Sequence, residues 1–348
     1  MWRWLSIPTI LLFSLCFFQP CYAIPTSSGQ NTEEEAQVLW NSGKAALSES
    51  RFQDAVNALQ RYVDRYPGTP DYLRAHFYLG KALIEQNSNS KAVAVLTNFI
   101  TSCQNPVESA EGRLLLANAY LNLEKYQQAY LITLEIDQIE KKTSLPSDTL
   151  LEALYIKSRS LLNLNYLDRA TQVLASADKQ LSDKNSPMVK GQVFDLKLKL
   201  KISECAQLPS KDRLDEGQLR DQLDRRGTCV LESLLIFHKI LKSNDLRSAA
   251  SAATQVNEAF DQYSKSCSSS YSAPAVSPIS KQSSSRRTAQ EMRRYHAELS
   301  DQLKQDCKKN WNTGLQLLNS WKADLPNSML GSLLQTSKSL EKIISRVP

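Results

Sequence analysis

Residues 36–70 read AQVLWNSGKAALSESRFQDAVNALQRYVDRYPGTP, and residues 73–107 read LRAHFYLGKALIEQNSNSKAVAVLTNFITSCQNPV. The second stretch is the first shifted by 37 positions. That shift lays Gly43 on Gly80, Ala55 on Ala92, Leu59 on Leu96 and Tyr62 on Phe99. A further 37 residues bring Ala117 onto the glycines and Ala129 onto the alanines. A fourth copy centres on Ala170, four residues late because the connection around Lys142–Ser147 is longer. A fixed period of this length is the mark of stacked helix pairs, each unable to bury its apolar face alone. The spacing therefore predicts an all-α solenoid of helical hairpins over residues 35–177.

Within the first copy a helix is predicted from Glu35 to Ser48, a polar turn over Glu49–Arg51 and a second helix to Tyr66. Pro67-Gly68-Thr69-Pro70 then stops the chain from continuing as helix. Small side chains at Gly43, Gly80 and Ala117, and at Ala55, Ala92, Ala129 and Ala170, let the paired helices approach; larger ones would cost about 1–3 kcal/mol each. These residues, with Phe52, Pro67, Tyr120, Tyr126 and Leu174, resemble the tetratricopeptide repeat. The first copy, with its Tyr62–Pro70 ending, is similar to repeats of exported bacterial cell-envelope proteins. The resemblance implies a protein-binding scaffold whose first helices line a concave groove.

Working outward, the amino end is not part of this fold. Arg3 precedes an apolar run from Trp4 to Phe18, and Cys21-Tyr22-Ala23 presents small residues at the positions a signal peptidase reads. Residues 1–23 are therefore expected to be a secretory signal peptide cut after Ala23, and polar residues 24–34 a flexible tether. The run is too short and too interrupted by Pro8 to span a bilayer. No membrane-spanning segment is expected in the mature chain, and its expected location is the periplasm. Export places the remaining cysteines in an oxidising compartment. Cys205 with Cys229 and Cys267 with Cys307 are neighbours in sequence around irregular inserts and are the expected disulfides. Cys103 is left over, as a small hydrophobe packed in a helix.

Beyond the repeats, residues 178–266 read as degenerate helical pairs. Ser186-Pro187 opens one helix, and Val189, Val193, Leu196 and Leu200 recur at helical spacing. Helices are expected around Leu214–Arg225, Thr228–Lys242 and Asn244–Ser264. Residues 267–286 form a Ser-rich loop, with nine Ser and two Pro between Ser268 and Ser285; such a segment buries too little to offset its ordering entropy. Residues 287–348 hold a long amphipathic helix, with Tyr295, Leu299, Leu303, Cys307 and Trp311 on its apolar face, and a last helix capping the stack.

A formal charge of +6 spread over 348 residues, without a basic stripe, gives no reason to expect nucleic acid as a partner. His76, His238 and His296 lie far apart, with no nucleophile–base arrangement, no metal-ligand spacing and no phosphate-binding glycine loop nearby. No enzyme activity, metal or cofactor is expected. What recurs is a face of each first helix. Trp40, Phe77, Leu114 and Tyr155 occupy one position, and Lys44, Lys81, Asn118 and Arg159 lie four residues on. Leu47, Ile84, Leu121 and Leu162 follow three residues later. Steps of four and three put these rows on one face. Either the first two rows form a groove for an acidic or carboxyl-terminal peptide, or the rings pack between repeats and the basic row is solvated surface. The expected function is an exported envelope adaptor that recognises peptides or helices of other envelope proteins. The alternatives are an outer-membrane assembly factor, or a cell-wall hydrolase or transglycosylase with a helical superstructure.

Overall fold

The computed structural model describes residues 28–206, 216–268 and 289–345. The leader expected over residues 1–23 and the Ser-rich stretch 269–286 lie outside these. Every regular element among the described residues is helical. Four hairpins come first. They are α1 (Ser28–Ser48) with α2 (Phe52–Arg65), α3 (Tyr72–Glu85) with α4 (Asn89–Ser102), α5 (Pro106–Asn122) with α6 (Tyr126–Glu140), and α7 (Ser147–Asn163) with α8 (Leu167–Gln180). Then come α9 (Pro187–Ala206), α10 (Glu216–Ser243), α11 (Leu246–Ser268), α12 (Ala289–Ser320), a 3-10 turn (Trp321–Ala323) and α13 (Asn327–Ser345).

One turn is repeated at each hairpin. Ser50, Asn87, Glu124 and Asn165 adopt φ of 60°, 62°, 59° and 62°. The next amide reaches back to the last turn of the first helix, as in Arg51 N to Ala46 O at 2.8 Å and Ser88 N to Leu83 O at 2.8 Å. This left-handed closure satisfies carbonyls the helix end would otherwise leave unpaired. Asn244, at φ 61°, marks a turn of the same hand between α10 and α11.

The recurrent glycines act through close approach. A Cβ on Gly43 would stand 2.6 Å from Leu59 Cγ, and one on Gly80 2.6 Å from Leu96 Cγ. Both leucines are fully buried. In the third hairpin the register opposes Ala117 to Thr133, so a larger residue on one helix meets a smaller one on the other. In the fourth, Ser158 stands where the glycines were and donates from Oγ to the Ala170 carbonyl at 2.7 Å.

Cores follow one another along the stack. Trp40, Leu59, Leu79, Leu96 and Leu116 belong to the first, Leu114, Ile136 and Ile156 to the next, and Leu151, Leu174, Val193 and Leu196 to a third that takes in α9. From Leu198 onward the arrangement changes. Phe237, Phe260, Trp311, Met329 and Leu333 converge in one large core shared by α9 to α13. The carboxyl-terminal half is thus a helical bundle built on the end of a linear stack. Two disulfides staple it: Cys205–Cys229 joins α9 to α10, and Cys267–Cys307 joins α11 to α12.

Several expectations need correction. The tether expected over residues 24–34 is helical from Ser28 onward, because no proline follows Pro25 there and Glu33–Glu35 are good helix formers. The two helices expected around Leu214–Arg225 and Thr228–Lys242 are one, α10, running through Gly227. A Cβ there would strike the Asn310 amide and the Tyr263 hydroxyl, so the glycine admits α11 and α12 rather than breaking the helix. Cys103 is not packed inside a helix: it caps the end of α4, half-exposed, and its thiol donates to the Asn105 carbonyl. Cys267 and Ser268, placed at the start of the Ser-rich loop, are the last residues of α11. Tyr295 is on the exposed side of α12, whereas Leu299 is buried.

Candidate functional site

First helices α1, α3, α5, α7 and α9 touch one another in succession, whereas second helices α2, α4, α6 and α8 make no comparable contact with each other. Helices that crowd on one side and spread on the other bend the stack, so the first helices form its inner surface.

On that surface the aromatic row is packed between repeats. Trp40 is buried against Tyr62 and Tyr78, with ring centroids at 5.9 and 5.4 Å. Half-buried Phe77 lies 5.5 Å from Phe99 and 5.5 Å from Tyr78. Leu114 is buried and Tyr155 half-buried between the third and fourth hairpins. Of the polar row, Lys44 and Lys81 are exposed, while Asn118 and Arg159 are half-buried. Arg159 donates to the Tyr155 hydroxyl at 3.3 Å, which keeps its guanidinium against the inner wall.

Lys44 and Lys81 come together. They face one cleft of about 450 Å³ between α1 and α3, lined also by Leu47, Ser48, Ser50, Phe52, Tyr78 and one carboxylate, Glu85. Lys44 Nζ lies 5.1 Å from the Trp40 ring and 5.7 Å from the Tyr78 ring. Ring faces are negative, so these two hold the ammonium by cation–π attraction and restrict its swing. Lys44 has no carboxylate partner among the described residues, so its charge is open to an anion arriving from solvent.

A second polar row escaped the sequence reading. Three residues before the aromatic positions, the same register lines up Gln37, Arg74, Glu111 and Glu152. The signal was present, because these positions share the period of the first row. Their alternation of charge hid it. Burial pushes the Glu152 carboxyl up, Asp148 and Glu111 add to that, and Lys81 opposes it. Glu111 is likewise raised by burial and by Glu108, while Glu108 itself pairs with Arg74 at 3.3 Å. Exposed Lys44 and Lys81 of the first two hairpins are therefore followed along the inner surface by Glu111 and Glu152 of the next two, where Arg159 also lies.

His76 and His238 serve packing. His76 rests edge-on against Tyr72 and bonds its carbonyl at 3.0 Å through Nδ1. His238 stacks on Trp321 at 4.2 Å. Among the described residues no three His, Cys, Asp or Glu side chains converge as a metal site, and no helix is long and apolar enough to cross a membrane.

Residues 41–101, the first two hairpins apart from the start of α1, match the family model described as the tetratricopeptide repeat. These hairpins are tetratricopeptide repeats. Repeats of this kind make a protein-interaction scaffold. A sequence comparison with curated proteins found no match. Among solved structures, the apo form of RapI is similar over 65% of this chain and 85% of its own, at 13% identity and a TM-score of 0.41. A tetratricopeptide repeat protein from Parabacteroides merdae covers 88% of this chain and 99% of its own, at 12% identity and a TM-score of 0.40. The Cut9–Hcn1 structure covers 91% and 68%, at 13% identity and a TM-score of 0.35. Likenesses this loose say nothing about a partner of this chain.

Proposed function

We propose that the chain is a non-catalytic adaptor, exported to the bacterial envelope, that takes an acidic segment or free carboxyl terminus of a partner protein on its inner surface. The observation that carries this reading is the α1–α3 cleft. There Lys44, steadied by two rings and without an acid of its own, stands beside Lys81 over the apolar walls of Leu47, Phe52 and Tyr78. An anion entering the cleft meets two cations against the single carboxylate of Glu85, and apolar neighbours gain buried area. The carboxylates at Glu111 and Glu152 bear on orientation. They repel an acidic ligand from the far half of the surface and so direct it toward the first two hairpins. The assignment to the envelope rests on the Arg3–Ala23 leader and on disulfides compatible with an oxidising compartment.

The test is fluorescence anisotropy with labelled Glu- and Leu-containing peptides ending in a free carboxylate. Changing Lys44, Lys81 and Arg159 together to Ala is expected to weaken binding at least about tenfold, on the order of 1.4 kcal/mol, with the melting temperature unchanged. Equal binding by the triple variant overturns the reading. For export, intact mass of protein recovered from the envelope is expected to start at Ile24; a chain retaining its leader contradicts it.

A further inference from the structure

The outer side of the third and fourth hairpins carries an arginine arranged differently from four others along the stack. Arg51, Arg65, Arg74 and Arg113 each hold a carboxylate, from Glu49 and Asp54, Glu35, Glu108 and Glu135 respectively. Arg169, in the first turn of α8, pairs with no carboxylate among the described residues. Its guanidinium lies instead 5.7 Å from the Tyr130 ring and 5.7 Å from the Tyr166 ring, and Nη2 donates to the Tyr130 hydroxyl at 2.8 Å. Apolar residues next to these in sequence are open: Leu131, which follows Tyr130, is 50% exposed, Tyr166 53% and Leu167, two residues before Arg169, 38%.

We infer that Tyr130, Leu131, Tyr166, Leu167 and Arg169 form a second docking surface, for a segment of another protein that presents a carboxylate between apolar side chains. Ring contacts on two sides restrict the guanidinium and remove part of its water, while its remaining N–H edge keeps the fork geometry that a carboxylate fills bidentately. Tyrosine rings add contact area at low entropic cost, and Tyr with Arg is the composition in which binding energy concentrates. A single cation beside Asp168 makes a poor site for a phosphate backbone or an anionic bilayer, either of which is held by several cations at once. The surface lies on the outer helices α6 and α8, so it remains open when the inner surface is filled.

The experiment places a photo-crosslinking amino acid at Leu131 of the full chain, in the cells that make it, and maps the adduct by mass spectrometry. The expected adduct joins Leu131 to another protein, at a segment with an Asp, a Glu or a terminal carboxylate among apolar residues. Arg169→Glu is expected to lower its yield at least about tenfold. Arg169→Lys, which keeps the charge and loses the fork, should lower it less, and Lys44→Ala with Lys81→Ala should leave it unchanged. Circular dichroism of each variant checks the fold, and Arg169→Lys carries the test if Arg169→Glu fails to fold. An adduct indifferent to Arg169, one on a segment without a carboxylate, one to lipid or to a second copy of this chain, or no adduct at all overturns the inference.

Discussion

At the scale of single residues, small side chains decide how close two helices come. Gly43 is the clearest case, since its missing Cβ is what makes room for Leu59. Gly43→Ala is expected to destabilise the protein by about 1–3 kcal/mol in urea unfolding. Combined with Leu59→Val, which vacates the same space, it should cost less than the sum of the two single changes. Additive costs would mean that the helices simply move apart. His238 makes a different prediction. Burial holds its imidazole below the ordinary 6.5, Lys242 adds to that and Asp324 opposes it. Its Nε2, stacked over Trp321, has no hydrogen-bond partner. The unfolded chain therefore takes up this proton at a higher pH than the folded one. The contribution of His238 is complete above the unfolded value and is lost as pH falls below it toward the lower folded value. Thermal melts between pH 7.5 and 5 should show a steeper loss for the native protein than for His238→Phe, which keeps the stack and does not titrate. Parallel curves would exclude this residue as the source.

At the scale of elements, the two disulfides link helices beside stretches of irregular composition. Cys205–Cys229 closes 24 residues and Cys267–Cys307 closes 40. Loops of these lengths correspond to roughly 3–4 kcal/mol each when the unfolded chain is the state constrained. Replacing either pair by Ser is expected to lower protection of α9–α13 amides in hydrogen exchange and to leave α1–α6 unchanged. A uniform loss of protection would show that stack and bundle unfold as one unit. The helices themselves were largely legible, because Val189, Val193 and Leu196 recur at helical spacing and the Pro67–Pro70 and Ser186–Pro187 signals are local. Gly227 was not. From sequence it reads as a weak point in a helix, and only the approach of Asn310 and Tyr263 from other helices makes it a packing position.

At the scale of the whole molecule, the period of 37 residues determined that α1–α8 are stacked hairpins, because each pair exposes an apolar face that only another pair can cover. It also located the row from Trp40 to Arg159, since residues three and four apart share a helix face whatever surrounds them. Tertiary structure decided which side chains on that face are free. Trp40 and Leu114 turned out to be wall, Lys44 and Lys81 converged on one cleft, and Glu111 and Glu152 placed carboxylates beyond it. The period carries no such information, because burial and the field at each site are set by neighbours from other hairpins. For the same reason only the folded chain distinguished Arg169 from the arginines that hold carboxylates. Its rings come from α6 and the α7–α8 turn, and no local pattern joins Tyr130 to a residue 39 positions away.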